Sequence, residues 1–234
     1  MATIIAQNEF GSYAIPESVA YRPAARATLK GKVWERSTIM FMRQHASDGD
    51  VLQAGAFFGD FLPAISQCLA ASARVWAFEP NLENFEHAKQ TIELNALDNV
   101  VLQNMGLGER RAIRKLRVAN RQGIALGGAS RFVDYDDAVA GERLIDAPVG
   151  CIDDLIPPDR NISIVQLDLE GYELRALRGG MQTIKRCMPI VIVEINEPAS
   201  KCAELLKAAG YSVRGTLGKN LVVVPARLGD SIAL

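Results

Sequence analysis

The sequence has few of the side chains on which metal sites and thiol chemistry depend. It contains two histidines and four cysteines in 234 residues, and no cysteine belongs to a CxxC pair or has a histidine nearby. We therefore expect no zinc site, and no residue is assigned as a metal ligand. Three of the cysteines lie in apolar surroundings and are predicted to be small core residues.

The sequence also lacks the apolar runs of secreted and membrane proteins. No basic segment precedes an apolar run at its start, and no run of 18 apolar residues occurs. These absences predict a cytoplasmic protein with reduced thiols and no membrane partner.

Neither sign of charge is in excess. The chain has 26 lysines and arginines against 27 aspartates and glutamates, with a formal net charge of -1. No nucleic-acid partner is therefore expected. The single basic stretch, GERRAIRKLRV, alternates in a way that predicts a strand with one solvated face.

The composition suits one domain with a large core, since 49% of the residues are hydrophobic. We predict that residues 33–234 form this domain. Residues 1–32 are predicted to be an irregular lead-in that forms either a lid over the site or a contact in a homodimer.

Strand and helix patterns alternate along the domain, which predicts an α/β fold with a mostly parallel sheet and helices on both faces. The segments YSVRGTL and NLVVVPA form a predicted closing hairpin, so the last strand should run antiparallel. Ligands bind such sheets beyond the carboxyl ends of the strands. The residues at those ends are Gly55, Glu79, Asn104, Asp168 and Glu194.

The segment VLQAGAFFGDF, residues 51–61, combines a buried strand with a turn that contains Gly55 and Gly59. The two glycines suit close approach of a ligand, or equally a tight strand–helix link. Glu79 ends the next strand, where a carboxylate can accept both hydroxyls of a ribose. No frame matches the G-x-G-x-x-G pattern of NAD sites, and the looser turn favours S-adenosylmethionine.

These motifs together resemble the FkbM family of S-adenosylmethionine-dependent methyltransferases. The resemblance rests on VLQAGAFFGDF, VWAFEPN, VVLQNMGLGE, IDDLIP, VQLDLEGYELRALRGG and IVIVEIN, and its most specific piece is DLEGYE, residues 168–173. It implies the seven-stranded class I (Rossmann-like) methyltransferase sheet. It also implies methyl transfer, commonly to a hydroxyl of a sugar or a secondary metabolite.

The resemblance also implies roles for individual residues. Gly55 and Gly59 match the cofactor loop, and Glu79 matches the acid that binds the ribose. Gln53 stands where the family usually has an acid, which leaves the binding of the cofactor's amino group open. The remaining cofactor-binding residues are Asn81, also the predicted cap of the following helix, and the turn along the adenine, Asn104, Met105 and Gly106.

Asp168 and Glu170 match the family's acidic pair near the methyl group and are the predicted catalytic residues. We hypothesise that one of them orients or deprotonates the acceptor. Alternatively, the acidic cluster binds a divalent cation, which the sequence does not require. Glu173 is predicted to begin a helix, and neither His45 nor His87 is near a strand end.

Three further residues are weaker candidates. Glu35 precedes the first helix of the domain and is either folded over the site or exposed. Ser130 and Arg131 belong to a glycine-rich loop that contacts either the cofactor or the acceptor.

The sequence therefore predicts an O-methyltransferase whose acceptor is a small molecule or a glycan. Two alternatives remain open: N-methylation on the same scaffold, and a cofactor-binding or regulatory protein without catalysis. A NAD-dependent dehydrogenase is a remote alternative.

Overall fold

A computed structural model of the chain describes residues 2–46, 48–133, 140–196 and 199–234. The strands, in chain order, are β1 (Thr3–Asn8), β2 (Gly11–Pro16), β3 (Asp50–Ala54), β4 (Val75–Phe78), β5 (Val100–Gln103), β6 (Gly106–Leu107), β7 (Ala112–Ala119), β8 (Arg131–Val133), β9 (Arg143–Gly150), β10 (Ile162–Leu167), β11 (Ile190–Glu194), β12 (Tyr211–Leu217) and β13 (Asn220–Pro225). The helices are α1 (Pro23–Leu29), α2 (Arg36–His45), α3 (Leu62–Ser66), α4 (Leu82–Leu94), α5 (Ile152–Leu155), α6 (Glu173–Arg178), α7 (Met181–Cys187) and α8 (Ala199–Ala208).

Seven strands form the central sheet, in the order β12-β13-β11-β10-β3-β4-β5. Strands β11, β10, β3, β4 and β5 are parallel, whereas β13 is antiparallel to both β11 and β12. The predicted α/β sheet with an antiparallel last strand is thus confirmed. The switch point lies at β3, since the chain continues from there to β4 on one side and later to β10 on the other.

Helices cover both faces of this sheet. On one face, α2 and α3 bury Ile39, Met42 and Ile65 against the alternate strand residues Val51 and Ile164. On the other face, α6, α7 and α8 pack against the intervening strand residues. Strands buried on both sides explain the continuous apolar runs in the sequence. Among the described residues, no helix is long and apolar enough to cross a membrane.

The N-terminal segment forms regular structure, so the expectation of an irregular lead-in was wrong. Strands β1 and β2 pair as an antiparallel hairpin, whose Tyr13 is fully buried. The hairpin is fixed to α4 because the backbone N–H groups of Ser12 and Ala14 donate to Asn95 Oδ1 and Thr91 Oγ1 at 2.9 and 3.0 Å. These long-range partners are not visible in a local pattern.

A second, four-stranded sheet in the order β6-β9-β7-β8 lies within residues 106–150. The basic stretch forms β7, as predicted. All four cysteines are free.

The sequence patterns predict one helix over residues 59–71 and another over residues 173–187, and both are shorter in the structure. The segment 173–187 is broken into α6 and α7, because Gly179 and Gly180 pack so tightly on Gly108 and Ile152 that a Cβ would not fit. Similarly, α3 begins only at Leu62, since Gly59 has a φ of +83° that no α-helix accepts.

Candidate active site

A cavity of about 270 Å³ lies at the carboxyl ends of the central strands. Its walls come from these strand ends, from the N-terminal segment and from the loop around residue 128. The lining residues are Arg22, Pro23, Ala24, Trp34, Glu35, Gln53, Gly55, Phe57, Asp60, Phe61, Gly128, Ala129, Gln166, Asp168, Glu170, Glu194 and Lys219. The predicted catalytic residues Asp168 and Glu170 thus line the same cavity as Gln53 and Gly55, whereas the other predicted cofactor residues lie outside its lining.

Gly55 contacts both the end of β4 and Asp168, the residue that follows β10. Its backbone N–H donates to the carbonyl of Phe78 at 3.0 Å, and its φ is +90°. A Cβ at this position would clash with the carbonyl oxygen of Asp168. Glycine is therefore required here both for its backbone conformation and for the close approach of β10. Gly59 lies outside the cavity lining, and a Cβ there would touch Thr91 and Leu62.

Gln53 is 2% exposed and lies at the cavity wall. Its Nε2 donates to the carbonyl of Gly55 at 3.1 Å, while its Oε1 is buried without a partner. A carboxylate in this position could not make that donation. Glutamine therefore stabilises the turn through Nε2, while its Oε1 stays without a hydrogen-bond donor.

Glu79 follows β4 and is 3% exposed. One oxygen accepts from the Phe57 N–H at 2.8 Å, and the other accepts from the Asn81 N–H at 2.8 Å and Asn84 Nδ2 at 3.3 Å. Burial raises its pKa to about 7, against the effect of these donors. Glu79 is outside the cavity lining and organises the turn beside it.

Asn81 caps α4 as predicted, since its Oδ1 accepts from the Glu83 N–H at 3.1 Å. Its Nδ2 donates to Ser130 Oγ at 3.0 Å, which attaches the glycine-rich loop to the end of β4. Asn84 Nδ2 also donates to the carbonyl of Gly127, at 3.1 Å. This loop therefore covers Glu79.

The predicted adenine turn follows β5 and is outside the cavity lining. Asn104 Nδ2 donates to the carbonyl of Glu79 at 2.8 Å, and Met105 packs against the apolar core. Gly106 lies under the ring of Phe132, so closely that a Cβ would clash with it. The turn is therefore attached to the end of β4, on the side of the site away from Asp168.

Asp168, Glu170 and Glu194 form the acidic part of the site. One carboxylate oxygen from each lies within 4.8 Å of the other two. Glu170 has a φ of +53°, unusual for a residue with a side chain. The turn is held by Glu173, whose Oε1 accepts from the N–H groups of Leu169 and Gly171 at 2.9 and 3.2 Å. Glu173 begins α6, as predicted.

Burial and mutual repulsion raise the pKa of every carboxyl in this group. For Asp168 the pKa lies well above its usual range, because of burial and then of Glu194 and Glu170. The pKa of Glu194 rises to about 7, and that of Glu170 also rises, in both cases chiefly through burial. Asp60, across the cavity, also has a pKa raised to about 7 by burial and by Glu35. Such perturbed groups are typical of functional sites.

The weaker candidates occupy different positions. Glu35 lines the cavity and accepts from Asn220 Nδ2 at 2.6 Å, so it is folded over the site. Ser130 contacts Asn81, as described above, and Arg131 is exposed at the start of β8. His87 is buried between Thr3 and the carbonyl of Glu83, and His45 contacts the carbonyl of Ala233. Neither histidine lines the cavity.

Several lining residues were not assigned from the sequence. Gln166 could have been noticed, because it interrupts the otherwise apolar end of ISIVQL. Glu194 was predicted to end a strand but was given no role in the site. Asp60 directly follows Gly59. By contrast, no local sequence pattern predicts that Lys219, in the β12–β13 turn, lines this cavity.

Comparison with known proteins agrees with this architecture. The model of the methyltransferase FkbM domain matches residues 53–213, more than half of the chain. No curated protein matches the chain at a significant level.

Among solved structures, the chain is similar to a methyltransferase FkbM from Methylobacillus flagellatus KT, with a TM-score of 0.52 and 19% identity. The match covers 76% of this chain and 43% of that one, so the chain spans less than half the length of this relative. A second similar structure is a Pyrococcus abyssi tRNA (uracil-54, C5)-methyltransferase in complex with S-adenosyl-L-homocysteine, with a TM-score of 0.50, 12% identity and coverages of 96% and 44%. At these identities the structural matches establish the fold alone, which is that of class I methyltransferases. The match of the family model over residues 53–213, with the site geometry above, shows that the chain belongs to the FkbM methyltransferase family.

Proposed function

We propose that the protein transfers a methyl group from S-adenosylmethionine to a hydroxyl oxygen of a small molecule or a glycan. The observation that carries this proposal is the position of the acidic cluster. Asp168 lies directly against the Gly55 turn, in the same cavity as Gln53. A cofactor seated at that turn would therefore present its reactive end to the carboxylates. Membership of the FkbM family supports the same reaction class.

The described residues fit S-adenosylmethionine in two respects. Gly55 lines the cavity without a side chain that would obstruct a ligand, and Gln53 Oε1 is a buried acceptor without a partner. We propose that this oxygen accepts from the cofactor's amino group. Glu79 retains unused lone pairs for ribose hydroxyls, provided that the loop attached through Asn81 and Asn84 moves aside. The bound cofactor supplies an electrophilic methyl group on sulfur.

The acidic cluster favours oxygen over nitrogen as the acceptor atom. Beside Asp168, Glu170 and Glu194, an amine would be held as its ammonium form, which has no lone pair to attack with. A hydroxyl keeps its lone pairs. With the cofactor bound, this oxygen would form the bond to the methyl carbon as the carbon–sulfur bond breaks and S-adenosylhomocysteine leaves, and Asp168 or Glu170 would take the hydroxyl proton. Such proton transfer contributes on the order of 10²–10⁴-fold to a rate.

We also propose that the N-terminal segment forms one wall of the acceptor site. Arg22, Pro23 and Ala24 line the cavity opposite the strand ends. The segment is held in place by the β1–β2 hairpin on α4. This geometry supports a lid that shapes the acceptor pocket. A homodimer contact through the same segment is the alternative.

Calorimetry with S-adenosylmethionine and S-adenosylhomocysteine tests the first part of the proposal. We expect one site for each on the wild-type chain, and weaker binding of both by Gln53→Leu. The matched control is Gln90 on α4, which is half-buried and outside the cavity lining, and its replacement by leucine should leave both affinities unchanged. A wild-type chain that binds neither compound would rule out methyl transfer altogether.

A panel of acceptors then separates oxygen from nitrogen transfer. Release of S-adenosylhomocysteine should depend on hydroxyl compounds, with a mass increase of one methylene on the acceptor. Turnover only with amines would contradict the O-methyl assignment while leaving the cofactor assignment intact. Cofactor binding without turnover of any acceptor would favour the regulatory alternative.

A further inference from the structure

We propose that Asp168, Glu170 and Glu194 bind one hard divalent cation, of the Mg²⁺, Mn²⁺ or Ca²⁺ class, with Gln166 as a further oxygen ligand. The catalytic role of the ion depends on the proposed function. The site itself depends only on the arrangement of these four side chains, which can be tested without cofactor or acceptor.

The register of the sheet places polar side chains where its apolar face ends. Along β10, side chains alternate between the faces, so Ile164, Gln166 and the following Asp168 point the same way. Ile164 belongs to the aliphatic core under α2, whereas Gln166 and Asp168 line the cavity. Leu167 pairs with Val193, so the next residues, Asp168 and Glu194, lie side by side. One face of the sheet thus changes from aliphatic to oxygen-rich within two residues.

The spacing of the carboxylates fits a single ion. Their nearest oxygens all lie within 4.8 Å of one another. Opposite ligands of an octahedral Mg²⁺ are about 4.2 Å apart, and those of Ca²⁺ are about 4.6–5.2 Å apart. Separations below 4.8 Å are therefore compatible with one shared ion of this class once the side chains close on it. Carboxylate and amide oxygens are the ligands that these ions prefer.

Gln166 provides an independent observation. It is 1% exposed, it lines the same cavity, and its Oε1 has no hydrogen-bond donor. A buried amide oxygen without a hydrogen-bond donor is destabilising. An apolar residue would fit the neighbouring strand pattern equally well. A cation next to Asp168 would satisfy this oxygen.

The three carboxylates of the cluster repel one another. None of the three carboxylates forms an ion pair within the described part of the chain. Glu194 accepts one neutral hydrogen bond, from Asn196 Nδ2 at 3.3 Å. Arg22 and Lys219 line the same cavity and, like Arg131, act on Glu170 through their charge without forming an ion pair with it. A divalent ion would compensate the cluster at its centre. It would also bind the acceptor hydroxyl and lower the pKa of that group.

Titration of the full-length chain with MnCl₂ tests the site, with the free ion followed by electron paramagnetic resonance. We expect one site with a Kd below about 1 mM, the weak end of oxygen sites in proteins. MgCl₂ or CaCl₂ should displace the Mn²⁺. Glu194→Gln should weaken binding more than about tenfold. Asp146→Asn, an exposed acid on β9, is the matched control and should bind as the wild type does.

Gln166→Leu separates a ligand from a structural residue. Because leucine removes a buried unpartnered amide, this variant should unfold at the same or a higher temperature in EDTA. It should nevertheless bind Mn²⁺ less tightly, by about threefold to tenfold. Unchanged Mn²⁺ affinity in both Glu194→Gln and Gln166→Leu, or no Mn²⁺ binding at all, would overturn the proposal. Binding of S-adenosylhomocysteine is measured separately, so a failure of the metal-site proposal can be distinguished from a failure of the proposed methyl transfer.

Discussion

Glu79 and Asp168 are acids just beyond β4 and β10, the two parallel strands that flank β3 and its Gly55 turn, yet their surroundings differ, and Glu79 is buried whereas Asp168 is half-buried. Both oxygens of Glu79 accept hydrogen bonds from N–H donors. Asp168 instead faces Glu170 and Glu194, and one carboxylate oxygen of each of these three residues lies within 4.8 Å of the other two. Burial raises the pKa of both residues, so protonation alone does not distinguish them. The carboxylate of Glu79 thus stabilises the turn around it, whereas the carboxylate of Asp168 has no such partner among the described residues, and a bound ligand can supply one.

The largest effect is expected at the end of β10. Asp168→Asn should reduce turnover with the best hydroxyl acceptor about 10²–10⁴-fold, because the amide can neither accept the proton nor carry the negative charge. Calorimetry should show an S-adenosylhomocysteine affinity within about threefold of the wild type, a change below 1 kcal/mol. A rate near that of the wild type would show that the two acids do not differ in the proposed way.

The contact that joins the two regions can be broken directly. Gly55→Ala should lower the free energy of unfolding by about 3–5 kcal/mol, because it adds a clash with the Asp168 carbonyl to the cost of a positive φ. Gly210→Ala is the control, since its φ is +87° and no atom lies within 4 Å of the added carbon. It should cost only about 1–2 kcal/mol. Urea denaturation measures both, and equal losses would mean that the close approach of β10 is unimportant.

Removal of the Glu79 carboxylate tests whether its hydrogen bonds stabilise the fold. Glu79→Ala should lower the free energy of unfolding by about 2–4 kcal/mol, because it leaves buried N–H groups of Phe57 and Asn81 without an acceptor. Glu79→Gln keeps one acceptor oxygen and should cost less. The exposed Glu93 on α4 is the matched control, and Glu93→Gln should change stability by no more than about 0.5 kcal/mol. A harmless Glu79→Ala would contradict the structural role.

The smallest effect concerns pH. Burial, together with Glu35, raises the pKa of Asp60 to about 7 in the folded protein, above its value of about 4 when unfolded. The folded state then binds more protons between these values, so the stability contributed by Asp60 is lost as pH rises through about 7. Asp60→Asn should therefore be more stable than the wild type at pH 8, by about 1–3 kcal/mol, and nearly equal to it at pH 4. Thermal or urea unfolding across this range measures the difference. An equal pH dependence of wild type and variant would place the titration elsewhere.

Much of the central sheet could be predicted from sequence. DVLQA, VWAF and IVIVE are short apolar segments bounded by turn residues, and each forms a strand where expected. The N-terminal hairpin could not, because its position depends on Thr91 and Asn95, some 80 residues away in the chain. The break between α6 and α7 at Gly179 could not be predicted either, since it follows from packing against Gly108.

For the site, the sequence by itself determined the strand ends and therefore the positions of Gly55, Glu79 and Asp168, because alternation and turn residues are local properties. Only the tertiary structure decided what each residue contacts. It gave Glu79 its N–H partners and brought Glu194 to Asp168. It left Gln53 and Gln166 each with an unpartnered oxygen. The physical reason is that hydrogen bonding and charge depend on distances between strands, and sheet register fixes those distances only after the whole chain has folded.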